Sequence, residues 1–133
     1  MLPREITPHV LSILAQMASE YCMCGSRVTC DPPPSDTDED WLVLLRDDFE
    51  LSVLADKLVN NGYDIEGGEH YQLSADNTFA SFRNRAVNLI VTKNRDFFAK
   101  HKLATAVCAK LNLQDKVHRK TLFQAILYGK FMP

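Results

Sequence analysis

The sequence contains no apolar run that approaches the roughly 20 residues needed to span a bilayer. Its N-terminal segment, MLPREITPHV, lacks the basic region and the following apolar stretch of a secretion signal. Internal repeats, linkers and low-complexity tracts are absent as well. We therefore expect neither membrane insertion nor secretion, and we predict a cytoplasmic chain whose residues 1–133 form a single domain.

The composition is that of an ordinary globular domain. Apolar residues make up 46% of the chain and charged residues 24%, values that argue against disorder, collagen and coiled coil. A domain of this length and apolar content does not need disulfides, so its four cysteines are predicted to be free thiols in a reducing compartment.

The net charge of −2 conceals a strong division along the chain. Residues 1–80 carry four basic and fifteen acidic groups, whereas residues 81–133 carry eleven basic and two acidic groups. An acidic segment beside a basic one suits a metal site next to a phosphate-binding surface. The alternative is that the two halves simply attract each other in the folded chain.

Periodicity and capping signals divide the chain into short elements. Thr7-Pro8 is typical of a helix start, and Asp115 and Gly129 are typical of a helix start and stop. The predicted elements, in chain order, are a helix from Thr7 to Tyr21, a strand at 22–24, a strand at 41–45, a helix capped by Asp47 or Asp48 and ended by Asn61-Gly62, hairpin strands within 63–85, a strand at 86–92, and helices at 96–111 and 115–128. This order predicts an α/β (α+β) fold in which a small mixed β-sheet is flanked by helices and followed by two basic C-terminal helices.

The stretch with the clearest chemical content joins a glycine turn to an acidic strand. A Gly25-Ser26 turn lets the backbone approach an anion closely, and Arg27 adds a positive charge. In a strand, Asp38 and Asp40 point the same way and present two carboxylates to one hard cation such as Mg²⁺. The alternative is that residues 31–48 form a solvated acidic loop without chemistry.

These residues resemble the signature of the nucleotidyltransferase superfamily typified by DNA polymerase β, in its minimal form. The segments that carry the resemblance are CGSR at 24–27 and TDEDWLV at 37–43, with a helix before and after them. The C-terminal block is similar to small phage and prophage proteins described as nucleotidyltransferase-like. The resemblance implies a bacterial protein, or one that acts in the host cytoplasm if it is phage-encoded.

The same resemblance implies transfer of a nucleoside monophosphate from a nucleoside triphosphate to a hydroxyl or an amine, with Mg²⁺ or Mn²⁺. Gly25 and Ser26 would hold phosphates, and Asp38 and Asp40 would hold the metal. The family's third carboxylate lies on a neighbouring strand, and Asn88 in Val87-Asn88-Leu89 occupies the equivalent place. Asp64 is the other candidate, and a site without a third carboxylate is the remaining possibility.

The basic C-terminal part offers further binding residues. Arg83 and Arg85 flank the strand at 86–92 and are candidates for nucleotide binding. Further basic residues follow the same strand and lie on the last two helices. The alternatives for them are that they neutralise a triphosphate, follow a nucleic-acid backbone or simply face solvent. They are Lys93, Arg95, Lys100, Lys102, Lys110, Lys116, Arg119 and Lys120. Nearby aromatic residues suit base stacking or, more often, the core: Phe79, Phe82, Phe97 and Phe98.

Two functions remain open at this point. The first is an active enzyme that modifies a nucleic acid, a protein or a small molecule. The second, motivated by Asn88, is a degenerate fold that binds a nucleotide, a nucleic acid or a host protein as a phage-type regulator or inhibitor. A zinc site at Cys22, Cys24 and Cys30 with Cys108 or His70, and a catalytic cysteine, are weaker hypotheses because the spacing matches no common pattern.

Overall fold

Five helices and five strands alternate irregularly in the computed structural model, which describes residues 5–33, 37–65 and 79–129. The helices are α1 (Pro8–Met17), α2 (Ser26–Thr29), α3 (Leu51–Val59), α4 (Arg95–Leu111) and α5 (Lys116–Tyr128). The strands are β1 (Ala18–Cys24), β2 (Glu39–Leu45), β3 (Asp64–Ile65), β4 (Ala80–Asn84) and β5 (Val87–Thr92). This is the predicted mixed α+β architecture.

The five strands form one mixed sheet in the order β1-β2-β5-β4-β3. Only β2 and β5 are parallel, and every other neighbouring pair among the described strands is antiparallel. The parallel pair lies at the centre of the sheet, where both faces are covered. This explains why β2 and β5 are almost uninterrupted apolar segments.

Alternation along β2 divides the core between the two faces of the sheet. Val43 and Leu45 pack in one cluster with α1 and α3. Leu42 and Leu44 point the other way and pack with Phe97 and Phe98 of α4, while α5 packs on α4 and reaches this cluster through its Leu127. The face beneath α4 and α5 is the one that carries the candidate site.

Several predicted elements are confirmed with their capping residues. Thr7 caps α1 by accepting a hydrogen bond from the Val10 amide. Asp115 caps α5 in the same way through the Val117 amide, and Gly129 ends that helix with a left-handed backbone conformation. The predicted strands at 41–45 and 86–92 are β2 and β5.

Other boundaries were predicted wrongly. The first helix ends at Met17 and not at Tyr21, because residues 18–24 form β1 and pair with β2 along its length. Asp47 and Asp48 do not cap α3, which begins after Glu50; they form surface ion pairs with Arg95 and Arg46. The short helix α2 follows directly on Gly25, where only a turn was predicted.

The segment 63–85 was predicted to contain hairpin strands, and β3 and β4 pair antiparallel as expected. Its central part, residues 66–78 with His70, lies outside the described residues, as do Pro34 and the chain ends. Within the described part of the chain, no helix is long and apolar enough to cross a membrane.

Candidate functional site

A single row of side chains crosses the sheet from β1 to β3. Cys24 is level with Asp40, Asp40 with Asn88, Asn88 with Arg83, and Arg83 with Asp64. Residues that are directly opposite each other on paired strands project from the same face, which here is the face beneath α4 and α5. The register of the sheet therefore brings Asp40 and Asn88 side by side, as the sequence pattern suggested for a metal site.

Asn88 and Asp64 occupy very different places relative to Asp40. Asn88 is on the adjacent strand, level with Asp40, and its side chain lowers the pKa of the Asp40 carboxyl. Asp64 is exposed on β3, three strands away from β2, which carries Asp40. At about 4.8 Å between neighbouring strands, the two backbones are about 14 Å apart. Asn88 is therefore close enough to Asp40 to bind the same cation, and Asp64 is not.

Burial strongly affects the Asp40 carboxylate. It raises the pKa of Asp40 from 3.8 to about 6, and the neighbouring Asp38 charge adds to the increase, while Asn88, Arg83 and Arg27 oppose it. Asp40 is thus ionised at neutral pH but at a cost to the folded state. A bound cation would relieve that cost.

The second carboxylate, Asp38, precedes β2 and is more exposed. Its Oδ2 accepts a hydrogen bond from Arg83 Nη1 at 2.9 Å. Arg83, which the sequence suggested as a nucleotide-binding residue, is therefore placed as a cationic partner of a candidate metal ligand. Arg85, beside it, lies in the turn between β4 and β5 with a φ of 56°, and its carbonyl accepts from Arg83.

Gly25 fits tightly against the Asp40 side chain. Its φ is +76°, and a Cβ at this position would lie 2.8 Å from Cγ and 2.9 Å from Cβ of Asp40. Only glycine allows the turn after β1 to approach Asp40 so closely. The next residue, Ser26, shares a short hydrogen bond with the Thr37 hydroxyl, which ties the start of α2 to the segment before Asp38.

Arg27 is directed away from this turn. Its Nη1 donates to Glu39 Oε2 at 3.1 Å and its Nη2 to the Thr37 carbonyl at 3.1 Å. Glu39 is buried on the opposite face, as strand alternation predicts, and also accepts from Trp41 Nε1 at 2.6 Å. A buried carboxylate needs such a partner, so Arg27 in this structure compensates Glu39.

A cavity of about 540 Å³ opens over the candidate site. Its first wall is formed by the turn and the acidic strand end, with Gly25, Ser26, Thr37, Asp38 and Asp40. Its second wall is one face of α5, with Lys116, Arg119, Lys120 and Phe123. Arg27, Arg83 and Arg85 are not part of either wall.

The α5 wall brings together residues that sequence reasoning did not single out as a site. Lys116, Arg119 and Lys120 were named only among many basic residues, and Phe123 was not named at all. Their spacing of three, four and seven residues from Lys116 is the available signal, since it places them on one helical face. The aromatic residues proposed for stacking lie elsewhere: Phe82, Phe97 and Phe98 are buried core residues, and Phe79 stacks on Phe97 with ring centroids 5.2 Å apart.

Cysteine chemistry finds little support in the same region. Burial raises the pKa of the Cys24 thiol far above its usual range, which leaves it protonated and a poor nucleophile. All four cysteines are free. Within residues 5–33, 37–65 and 79–129, no three histidine, cysteine, aspartate or glutamate side chains are grouped as a metal site.

The donor set does fit a magnesium ion when Asn88 is included. Asp38 and Asp40 offer carboxylate oxygens, and Asn88 Oδ1 is buried without a hydrogen-bond partner. Magnesium prefers oxygen ligands, keeps several waters and takes the rest of its ligands from substrate phosphates. The Asn88 amide supplies an oxygen but no negative charge. The site therefore carries one negative charge fewer than a set of three carboxylates.

Searches against protein-family models and against curated proteins find no match to this chain.

Proposed function

We propose that this protein binds a nucleoside triphosphate as its magnesium complex and transfers the nucleoside monophosphate to a hydroxyl of a nucleic acid, a protein or a small molecule. The observation that carries this proposal is the opposition of charge within one cavity. Asp38 and Asp40 lie on one wall, and three cations of α5 lie on the other. A free anion is repelled by the first wall and a free cation by the second, whereas a metal-bound polyphosphate suits both.

Each wall has a defined part in the proposed reaction. Asp38, Asp40 and Asn88 would hold the metal, which when bound neutralises phosphate charge and polarises the phosphorus being attacked. The Gly25-Ser26 turn keeps the backbone close to the bound phosphates. The acceptor hydroxyl forms a new bond to the α-phosphorus, pyrophosphate departs, and the hydroxyl proton is lost to water.

The cellular setting that we propose is a reducing cytoplasm, bacterial or that of the host if the chain is phage-encoded. Four free thiols support it, because such thiols persist in reducing compartments.

A second candidate function is non-catalytic. Asn88 in place of a carboxylate removes a negative charge from the metal site, and Arg83 already neutralises Asp38 at 2.9 Å. Both features weaken binding of a divalent metal ion at this site. They favour a degenerate nucleotidyltransferase fold that binds a nucleotide, a nucleic acid or a host protein as a phage-type regulator or inhibitor.

A labelling experiment separates the two functions. Each nucleoside triphosphate, labelled at the α-phosphate, is incubated with the protein and a bacterial lysate in Mg²⁺ and then in Mn²⁺, and RNA, protein and small molecules are separated. The inactive control is Asp38→Asn/Asp40→Asn. The matched control is Asp47→Asn/Asp48→Asn, an exposed acidic pair outside the cavity.

Label that depends on Asp38 and Asp40 but not on Asp47 and Asp48 supports the enzyme, and the labelled fraction identifies the acceptor class. Absence of label with both metals, together with measurable nucleotide binding, supports the non-catalytic binder. Full transfer by Asp38→Asn/Asp40→Asn would contradict the proposed site.

A further inference from the structure

The α5 wall of the cavity is built from one face of a single helix. Lys116, Arg119, Lys120 and Phe123 follow one another at the spacing of a helical stripe, and all four line the cavity opposite Asp38 and Asp40. Among the described residues, Lys116 and Lys120 have neither a hydrogen-bond nor an ion-pair partner. Within the described part of the chain, these two cations thus line the cavity without a direct ion pair.

Arg119, in the middle of this stripe, is anchored by hydrogen bonds to neighbouring protein groups. A single nitrogen, Nη1, donates to the carbonyls of Leu113 and Gln114 at 2.8 Å each and approaches the Cys30 sulfur at 3.1 Å. The two carbonyls carry no net charge, and no carboxylate among the described residues forms an ion pair with Arg119. Holding an arginine in place before its ligand arrives lowers the entropy cost of binding.

The loop before α5 is fastened to the segment that follows the glycine turn. Asn112 exchanges two hydrogen bonds with the Asp31 backbone, at 3.0 and 3.1 Å, and Gln114 Nε2 donates to the Asp31 carbonyl at 3.3 Å. These contacts join the end of α2 to the start of α5. These contacts connect the basic wall directly to the segment that follows the turn at Gly25.

We infer that the α5 stripe is a polyphosphate-binding wall, which takes the phosphate chain of a nucleotide by Arg119, Lys116 and Lys120. The inference deepens the proposed function and rests on it for the identity of the ligand as a nucleotide. It locates the phosphates against α5 and not against Arg27 or Arg83, whose guanidinium groups bond to Glu39 and Asp38, nor against Arg85, which does not line the cavity. Arginine presents several donors to phosphate oxygens in a fixed geometry, and lysine adds mobile point charges.

The dimensions of the site favour a small molecule over a nucleic-acid backbone. The cavity of about 540 Å³ lies within the range of about 300–1,000 Å³ that is typical of small-ligand pockets. A strand of nucleic acid tracks an open groove, whereas these cations lie across a cavity from an acidic wall. The phosphate chain of a single nucleotide, with its metal toward Asp40, fits both walls.

Inorganic tripolyphosphate without divalent metal is the probe that isolates this wall. Its affinity is measured by calorimetry in EDTA at low ionic strength for the parent protein and for Lys116→Gln/Lys120→Gln, whose lysines are exposed and have no partners among the described residues. We expect the double variant to bind about tenfold more weakly, and Arg119→Gln at least as weakly. The matched control is Lys110→Gln on α4, an exposed cation outside the cavity, which should bind within about twofold of the parent.

Two results would overturn the inference: unchanged affinity in the double variant, or an equal loss in Lys110→Gln, which would indicate only general attraction. Tighter α5-dependent binding of a single-stranded oligonucleotide than of tripolyphosphate would also overturn it and assign the wall to nucleic acid.

Asp38→Asn/Asp40→Asn distinguishes this inference from the proposed function. That variant should keep or improve its affinity for tripolyphosphate, because it loses two repelling charges, while it loses magnesium-dependent nucleotide transfer. If the parent binds tripolyphosphate through α5 but transfers no nucleotide, the catalytic proposal fails and the binding wall stands. If nucleotide is transferred but the α5 variants retain full affinity, the binding wall fails alone.

Discussion

Asn88 on β5 lies directly beside Asp40 on β2, and its side chain lowers the pKa of the Asp40 carboxyl, against the effect of burial. This arrangement stabilises an ionised Asp40 without adding a second negative charge. It also leaves Asn88 Oδ1 buried and without a partner. The pair therefore determines how strongly the site binds a cation. It also determines how much the metal-free site lowers the free energy of unfolding.

Replacing Asn88 with aspartate should strengthen metal binding. A second carboxylate next to Asp40 attracts a divalent cation more strongly, and we expect the affinity for Mn²⁺ to rise about tenfold, or about 1.4 kcal/mol. In the absence of metal the two carboxylates repel each other, so the free energy of unfolding should fall by about 1 kcal/mol or more.

The measurement is a Mn²⁺ titration followed by electron paramagnetic resonance, with thermal unfolding in EDTA beside it. Asn60→Asp, in the exposed turn after α3, is the matched control and should leave both quantities unchanged. A Mn²⁺ affinity in Asn88→Asp equal to that of the parent would show that position 88 does not contact the metal.

The free energy of unfolding should depend on pH because the pKa of Asp40 is raised in the folded state. Since the folded pKa is about 6 and the ordinary value 3.8, the folded state binds the proton more tightly. The free energy of unfolding therefore falls as pH rises from about 4 to 6 and remains lower above that. Asp40→Asn should be more stable than the parent at pH 7.5 by on the order of 1–2 kcal/mol after allowance for solvent screening, and equal to it near pH 4.

Urea unfolding at intervals between pH 4 and 8 checks this expectation. Asp48→Asn, at an exposed carboxylate, serves as the control and should show no such pH-dependent gain. If Asp40→Asn is less stable than the parent at pH 7.5, the Asp40 charge is not a cost to the fold.

Much of the fold follows from local signals, and the exceptions have identifiable causes. Apolar runs define β2 and β5, and side-chain caps at Thr7 and Asp115 define two helix starts. The end of α1 was misplaced because Ala18 and Tyr21 continue the helical spacing. Only pairing with β2 makes this segment a strand, and pairing across the chain has no local signature.

The candidate site likewise has features that the sequence predicted and features that depend on contacts across the chain. The spacing of Asp38 and Asp40 and the strand context of Asn88 were sufficient to suggest a shared edge of the sheet. The orientation of Arg27 was not predictable, because it depends on the burial of Glu39 on the other face. The α5 wall was not predictable either, since its cations reach the cavity through contacts between residues about 80 positions apart, such as Asn112 with Asp31.

Arg83 should compete with metal for Asp38. The guanidinium lies 2.9 Å from Asp38 Oδ2, and both side chains are partly exposed. Removing it in Arg83→Gln leaves the carboxylate available, so we expect the Mn²⁺ affinity to rise about threefold to tenfold with a loss of stability below about 1 kcal/mol. Arg46→Gln breaks a bridge of the same length to Asp48, away from the cavity, and should not change Mn²⁺ binding. Weaker Mn²⁺ binding in Arg83→Gln would instead mean that Arg83 holds Asp38 in its binding orientation.

Gly25→Ala should destabilise the protein by two effects, namely backbone strain and a steric clash with Asp40. Its positive φ disfavours a side chain, and the new methyl group would overlap Asp40, so we expect a loss of at least about 2 kcal/mol and reduced Mn²⁺ binding. Gly129→Ala also has a positive φ, but its methyl group would have no atom within 4 Å, so it should cost about 1 kcal/mol and leave Mn²⁺ binding intact. Comparable losses in the two variants would exclude the close fit of Gly25 against Asp40.

His101 should make the packing of α5 sensitive to acid. Its ring lies in the core between α4 and α5, with the Phe123 ring edge-on at 5.0 Å and Phe97 at 5.8 Å, and its Nδ1 has no partner among the described residues. Burial lowers the pKa of His101 from 6.5 to about 4. The folded state thus favours the neutral ring, and stability that is complete above pH 6.5 is lost as the pH falls toward 4, by up to about 3 kcal/mol.

His101→Leu should remove this loss, because leucine does not titrate. Its free energy of unfolding should decline less than that of the parent between pH 6.5 and 4.5, as measured by urea unfolding. His118→Leu, an exposed histidine on α5, should retain the parent's decline. Since Phe123 contacts both His101 and the cavity, the same acid range should weaken tripolyphosphate binding in the parent more than in His101→Leu. An identical acid dependence in the two proteins would show that His101 is not the group that links α5 to pH.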